Sequence, residues 1–285
     1  MKPERVVVGV DFDDASREAA RWALHRFLPD LDHVLVHALD LRDPPRYLGI
    51  TDSDEVLADA RREADRRLTE LREELGDAAG GEVRKGRPDE VLSAVADESD
   101  AGLIVVGRGS EGSGLLGSTA ERLVNTASVP VLMVPDAPGT APEQLLVAID
   151  DSPETAEVLA WAGGLADRHD ARVTVTHVFQ PTFAGLGGVV SGAGSHQELK
   201  EDQRDQARAW LEEEVREAGL APEHVRLEVR EGDPARQILD EARAPRPDII
   251  IIGSRGPGAV EKALLGSVAS SVLRGASRPV LVVRR

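Results

Sequence analysis

Short apolar runs alternate along the chain with longer mixed stretches. The runs Leu103-Ile-Val-Val106 and Ile249-Ile-Ile-Ile252 are apolar at every position, as expected for central parallel strands covered by helices on both faces. The pattern predicts strands near 5–11, 33–39, 81–86, 102–107 and 130–134, and again near 144–150, 171–179, 224–231, 248–253 and 279–283. Helices are predicted between them, near 14–27, 53–75, 88–98 and 118–127, then near 153–168, 196–218, 234–243 and 266–276. Ser16, Pro88, Ser152-Pro153 and Asp233-Pro234 read as helix-start signals. Regular alternation of strand and helix argues for a doubly wound α/β sheet in each half.

The two halves repeat one another. Val6–Asp11 matches Leu145–Asp150, and Trp22 matches Trp161, both at an offset of 139. His37 matches His177 at 140, Gly86-Arg-Pro88 matches Gly232-Asp-Pro234 at 146, and Pro130–Val134 matches Pro279–Val283 at 149. The slow drift is what small loop insertions produce. The join falls in Asp136–Glu143, rich in Pro and Gly, so the expected domains are 1–137 and 143–285, packed together by a short linker. Longer irregular stretches at 40–52 and 180–195 read as lids, interaction segments or plain surface insertions.

Composition narrows the function classes. The chain has 285 residues, 51 acidic against 34 Lys and Arg, and a formal charge of −17, which disfavours nucleic acid and anionic membrane as partners. It has no cysteine, which excludes disulfides, thiol catalysis and zinc–thiolate sites. No apolar run approaches the ~20 residues needed to span a bilayer. Met1-Lys-Pro-Glu4 leads straight into a strand, so a cytoplasmic location is the expectation.

Candidate chemistry sits where open α/β sheets bind ligands, outside the carboxyl ends of the strands. The first strand of each half runs to an aspartate, Asp11 and Asp150. The fourth runs into a glycine turn: Gly253-Ser-Arg-Gly256 followed by Gly266-Ser267 in the second half, and Gly107-Arg-Gly109 followed by Gly117-Ser118 in the first. Such turns present backbone N–H groups to phosphate, although a tight strand-to-helix connection also uses glycine. Asp11, Asp13 and Asp14 are candidate metal ligands, but Asp13 and Asp14 read better as helix caps, as does Asp151. His37 and His177 read as packed structural histidines rather than catalytic ones, Trp22 and Trp161 as core, and Arg61–Arg67 as a solvated helix face.

The spacing Gly253-x2-Gly256-x9-Gly266-Ser267, with Asp150 and Pro279-Val-Leu-Val-Val283, resembles the nucleotide-binding signature of the universal stress protein family. The resemblance extends over nearly the whole chain as a tandem of two such domains. It implies a five-stranded parallel sheet of order 3-2-1-4-5 in each half, with ATP across the carboxyl ends of strands 1 and 4. It also implies that Asp150 contacts the adenosine part, that Val178 meets adenine, and that Gly253, Gly256, Gly266, Ser267 and Val268 hold phosphates, with Arg255 adding charge. In the first half the corresponding candidates are Asp11, Gly107, Gly109, Gly117 and Ser118. There the glycine loop is shorter, with Gly107 and Gly117 ten positions apart where Gly253 and Gly266 are thirteen apart. A shorter loop wraps a triphosphate less completely.

Three functional readings follow. The first is an adenine-nucleotide-binding sensor or regulator of stress, its ATP accompanied by magnesium and its glycine loops and segment 180–195 ordered by the ligand to suit a protein partner. The second is at most a slow Mg-dependent ATPase, with Lys262 or Arg255 stabilising charge; no G-x-x-x-x-G-K-[ST], nucleophile–base pair or H-E-x-x-H supports it. The third is a non-binding internal dimer. In it the apolar fifth strands, 130–134 and 279–283, pair across a pseudo-two-fold axis, and two chains associate further as a homodimer.

Overall fold

The computed structural model describes residues 3–40, 53–76, 79–109, 118–180, 193–243, 247–256 and 265–284. The first half runs β1 (Arg5–Gly9), α1 (Asp14–Trp22), β2 (Asp32–Leu39), α2 (Ser53–Glu74), β3 (Ala79–Lys85), α3 (Pro88–Glu98), β4 (Leu103–Gly107), α4 (Ser118–Thr126) and β5 (Val131–Val134). The second repeats it as β6 (Gln144–Ala148), α5 (Thr155–His169), β7 (Arg172–Phe179), α6 (Ala193–Glu217), β8 (Val225–Glu231), α7 (Pro234–Glu241), β9 (Ile249–Gly253), α8 (Ser267–Gly275) and β10 (Val280–Val283). A π-helical turn at Ala23–Phe27 extends α1, which accounts for a predicted helix reaching residue 27.

All the strands join one ten-stranded sheet of order β3-β2-β1-β4-β5-β10-β9-β6-β7-β8. Each half is parallel in the order 3-2-1-4-5, so its chain reverses direction of travel between strands 1 and 4. The halves meet where β5 and β10 pair antiparallel, with Leu281 opposite Leu132 and Val280 opposite Met133. The fifth strands are therefore interior, and the sheet ends instead at β3 and β8, whose charged residues suit an edge.

The pleat sends alternate residues to opposite faces, and both faces are buried. Val6, Val8, Leu103, Val105, Leu132, Leu281 and Ile251 belong to one apolar cluster, whereas Val7, Ile104, Val106, Met133, Ile250 and Val282 belong to the other. Each cluster crosses from one half into the other, so the halves share their cores. Trp22 and Trp161 are both buried in the first of these clusters. Trp22 also donates its indole N–H to Thr140 O at 2.9 Å, pinning the linker, and a ring nitrogen of His169 meets Phe27 O at 2.8 Å across the halves.

Several local expectations need correction. The strands preceding the two aspartates end at Gly9 and Ala148, so Asp11 and Asp150 stand two residues beyond the sheet, free of its ladder. Ser16 is not a cap: Asp13 caps α1 by accepting the Ser16 N–H at 2.7 Å, and Asp14 is the first helical residue. Asp151 caps nothing, because α5 starts at Thr155 with Glu154 at the cap position. Arg61, Arg62 and Arg66 form the solvated face as expected, but Arg67 lies 4.6 Å over the ring of Phe12. Lys262, Gly117 and nearly all of 40–52 and 180–195 lie outside the described residues.

Candidate functional site

Asp150 follows β6, and Gly253 ends β9, the neighbouring strand. Between them opens a cavity of about 580 Å3, within the size range of small-molecule sites. Asp150, Val178, Gly253, Arg255, Gly256, Gly266, Ser267 and Val268 all line it. Ile252 and Ile238 supply apolar wall, and Thr176 lies against the floor with its hydroxyl unpartnered. Burial, chiefly, pushes the Asp150 carboxyl above its ordinary range; a hydrogen bond from Ser152 opposes this, while Glu154 and Asp151 reinforce it.

The glycine turn is held from behind by a carboxylate that sequence reading did not single out. Glu154 is 1% exposed. Its Oε1 accepts the Ser254 hydroxyl at 2.8 Å and the Arg255 Nε–H at 2.8 Å, while Oε2 accepts the Arg255 N–H at 3.0 Å. Arg255 lines the cavity, but its charge is compensated by this ion pair. The turn then closes on itself, Gly266 N–H donating to Ser254 O at 2.8 Å. A Cβ at Gly266 would stand 3.3 Å from Arg255 Cα and from Ser254 O, so any other residue there would push the turn apart by a few tenths of an ångström. Gly266 is also the cap position of α8, whose first turn begins at Ser267. Free N–H groups and the positive end of the helix dipole thus face the cavity, the arrangement that binds anions.

His177 is structural: its Nδ1 lies 3.0 Å from Ile149 O, and its ring packs edge-on against Trp210 at 4.7 Å. His37 repeats this, with Nδ1 2.8 Å from Val10 O and the ring 4.4 Å from Phe12. Desolvation holds the His37 pKa below its ordinary value.

The equivalent cavity of the first half, between β1 and β4, measures about 280 Å3 and is lined by Asp11, Gly107 and Gly109, with Thr119 and Ala120 of α4. Ser118 begins α4 beside it. Ala15 stands at the place of Glu154, and without that carboxylate helix α1 comes close to β4. A Cβ on Gly107 would fall 3.1 Å from the Ala15 carbonyl carbon and the Ser16 nitrogen. Asp11 turns its Oδ1 to its own loop, accepting the Asp13 N–H at 3.1 Å. Arg108 lines the cavity too, but its guanidinium is donated to Arg274 O and Ala276 O at the end of α8.

The repeated sheet and paired crevices have a counterpart among known proteins. A model of the universal stress protein family matches residues 3–135 and, a second time, 142–284. The chain belongs to the universal stress protein family. It carries two repeats of that family in tandem. A universal stress protein of Mycolicibacterium smegmatis is 30% identical over 308 residues, spanning 98% of this chain and 96% of the relative. One from Mycobacterium tuberculosis is 26% identical, spanning 100% of this chain and 98% of the relative. The crystal structure of a universal stress protein from Archaeoglobus fulgidus aligns with a TM-score of 0.67 at 20% identity, covering 99% of this chain and 96% of that one. That likeness concerns the fold. Among the described residues no helix is long and apolar enough to cross a membrane, and no group of three or more His, Asp or Glu is placed to hold a metal.

Proposed function

We propose that this tandem universal stress protein is an adenine-nucleotide-binding regulator, with its principal site in the second half. The observation that carries this is the convergence of eight residues, nominated from sequence, on one cavity at the topological switch of the second half. Asp150 is placed to accept hydrogen bonds from ribose or base, and Val178 offers apolar surface to adenine. The N–H groups of the first turn of α8, from Ser267 onward, serve the phosphates, since the Gly266 N–H already goes to Ser254 O. Arg255 serves to shape the turn through Glu154 more than to neutralise phosphate. ATP, with magnesium carried on its phosphates, fits the size and polarity of the cavity. The first-half cavity, with about half the volume, suits a smaller anion or a nucleotide bound differently.

Calorimetry with ATP, with and without magnesium, tests the reading. One tight site per chain is expected. Gly256→Val should weaken it more than tenfold, because a Cβ added at Gly256 would stand 3.3 Å from Asp150 Oδ2 and the branched side chain would crowd that carboxylate. Absence of binding to the wild type would overturn the proposal. Product accumulation during titration would identify the chain as an ATPase instead.

A further inference from the structure

The second cavity is not built by the second half alone. Asn125 lies on the last turn of α4, in the first half. Its Nδ2 donates to Glu121 O at 2.7 Å, which fixes the rotation of the amide. Its Oδ1 then accepts the backbone N–H of Leu265 at 2.7 Å, 140 residues further along the chain. Leu265 immediately precedes Gly266 and Ser267 at the mouth of the second cavity. Two successive amides of this segment are therefore fixed, Gly266 by its own turn and Leu265 by the other half. A second tie lies beside the first: Arg284, just past β10, donates to Val124 O of α4 at 2.8 Å. At its other end α4 lines the first cavity with Thr119 and Ala120, and Asn125, six positions after Thr119, lies about 9 Å further along the helix.

We propose that Asn125 is a positioning residue for the second-half nucleotide site, so that the first half acts as the support that aims the second half's phosphate-binding amides. The inference rests on the reading of the second cavity as a nucleotide site. Its physical basis is preorganisation: an anion site made of backbone N–H groups binds well only if those groups are held in place before the ligand arrives. It also gives the half with the shortened glycine loop a role that does not require it to hold ATP.

The test compares the full-length wild type with Asn125→Ala and Asn125→Leu. Leucine keeps the number and branching of the side-chain heavy atoms and removes the acceptor, whereas alanine removes both. Calorimetry with magnesium and ATP reads affinity, amide hydrogen exchange without nucleotide reads Leu265, and thermal unfolding reads the fold. Both variants should bind about three- to tenfold more weakly, the effect of one hydrogen bond. Leu265 exchange should accelerate in both, with protection of the central strands retained. Equal affinity in wild type and both variants, with Leu265 exchanging fast, would overturn the inference and leave the nucleotide reading intact. Loss of affinity in the alanine variant only would assign the effect to packing and overturn it as well. A wild type that binds no nucleotide would overturn the underlying reading, and this inference with it.

Discussion

At the scale of single residues, the second cavity has unfavourable electrostatics built into its wall. Burial raises the Asp150 pKa, so between the ordinary aspartate range and that raised value the folded chain holds a proton that the unfolded chain has released. Stability therefore declines as pH rises through that window. Asp150→Asn is expected to make the protein more resistant to urea at neutral pH while weakening ATP binding, and the gain in stability should vanish once the pH lies below the ordinary aspartate range. Glu154 has the opposite character. Its removal leaves the buried Ser254 hydroxyl and the Arg255 guanidinium without their acceptor. Glu154→Ala should cost about 3 kcal/mol in chemical denaturation, at the low end for a broken buried pair because Arg255 keeps some solvent contact. Glu154→Gln, which retains an acceptor, should cost less. Asp150 was legible in the sequence because it ends an apolar run. Glu154 was not, because a glutamate at a helix start is ordinary until a partner 100 residues away meets it.

Among the elements, the seam between β5 and β10 joins the halves. Leu132 and Leu281 face each other there, both 0% exposed. Leu281→Ala should destabilise by about 2–5 kcal/mol, the usual range for a large-to-small change in a packed core. Since the apolar clusters cross the seam, the prediction is one cooperative transition, seen at the same urea midpoint by tryptophan fluorescence and by circular dichroism. Separate transitions for the two halves would contradict a shared core. Most element positions were readable from the chain because doubly buried parallel strands leave unbroken apolar runs. The starts of α1 and α5 were less readable, since Ser16, Asp13, Asp151 and Ser152 all resemble caps and only backbone geometry selects Asp13 and Glu154.

Across the whole molecule, one buried and two half-buried histidines set the response to acid. Desolvation lowers the pKa of His33, His37 and His169 from 6.5. Their neutral forms suit the fold, so as pH falls through about 6.5 the unfolded chain takes up protons that the folded chain does not. Stability is then lost progressively until the depressed native values are passed. Thermal midpoints should fall from pH 7 to pH 5.5, and the fall should persist in high salt. Relief of repulsion within a chain of net charge −17 acts the other way, and salt screens it. A midpoint that rises on acidification in high salt would contradict this account.

The sequence by itself determined the repeat, the alternation of strand and helix, and the residue types around each crevice, because burial on both sheet faces and a phosphate-accessible backbone each demand particular residues at particular spacings. Tertiary structure alone decided which residues hold those loops in shape. The Glu154 clamp, the Asn125 contact and the crossing of Arg108 to α8 join groups separated by 101, 140 and 166 residues. Each is a single hydrogen-bonding side chain with no periodic signature, and its partner is a backbone group or a common polar residue. Such pairs become visible only when the fold brings them within reach.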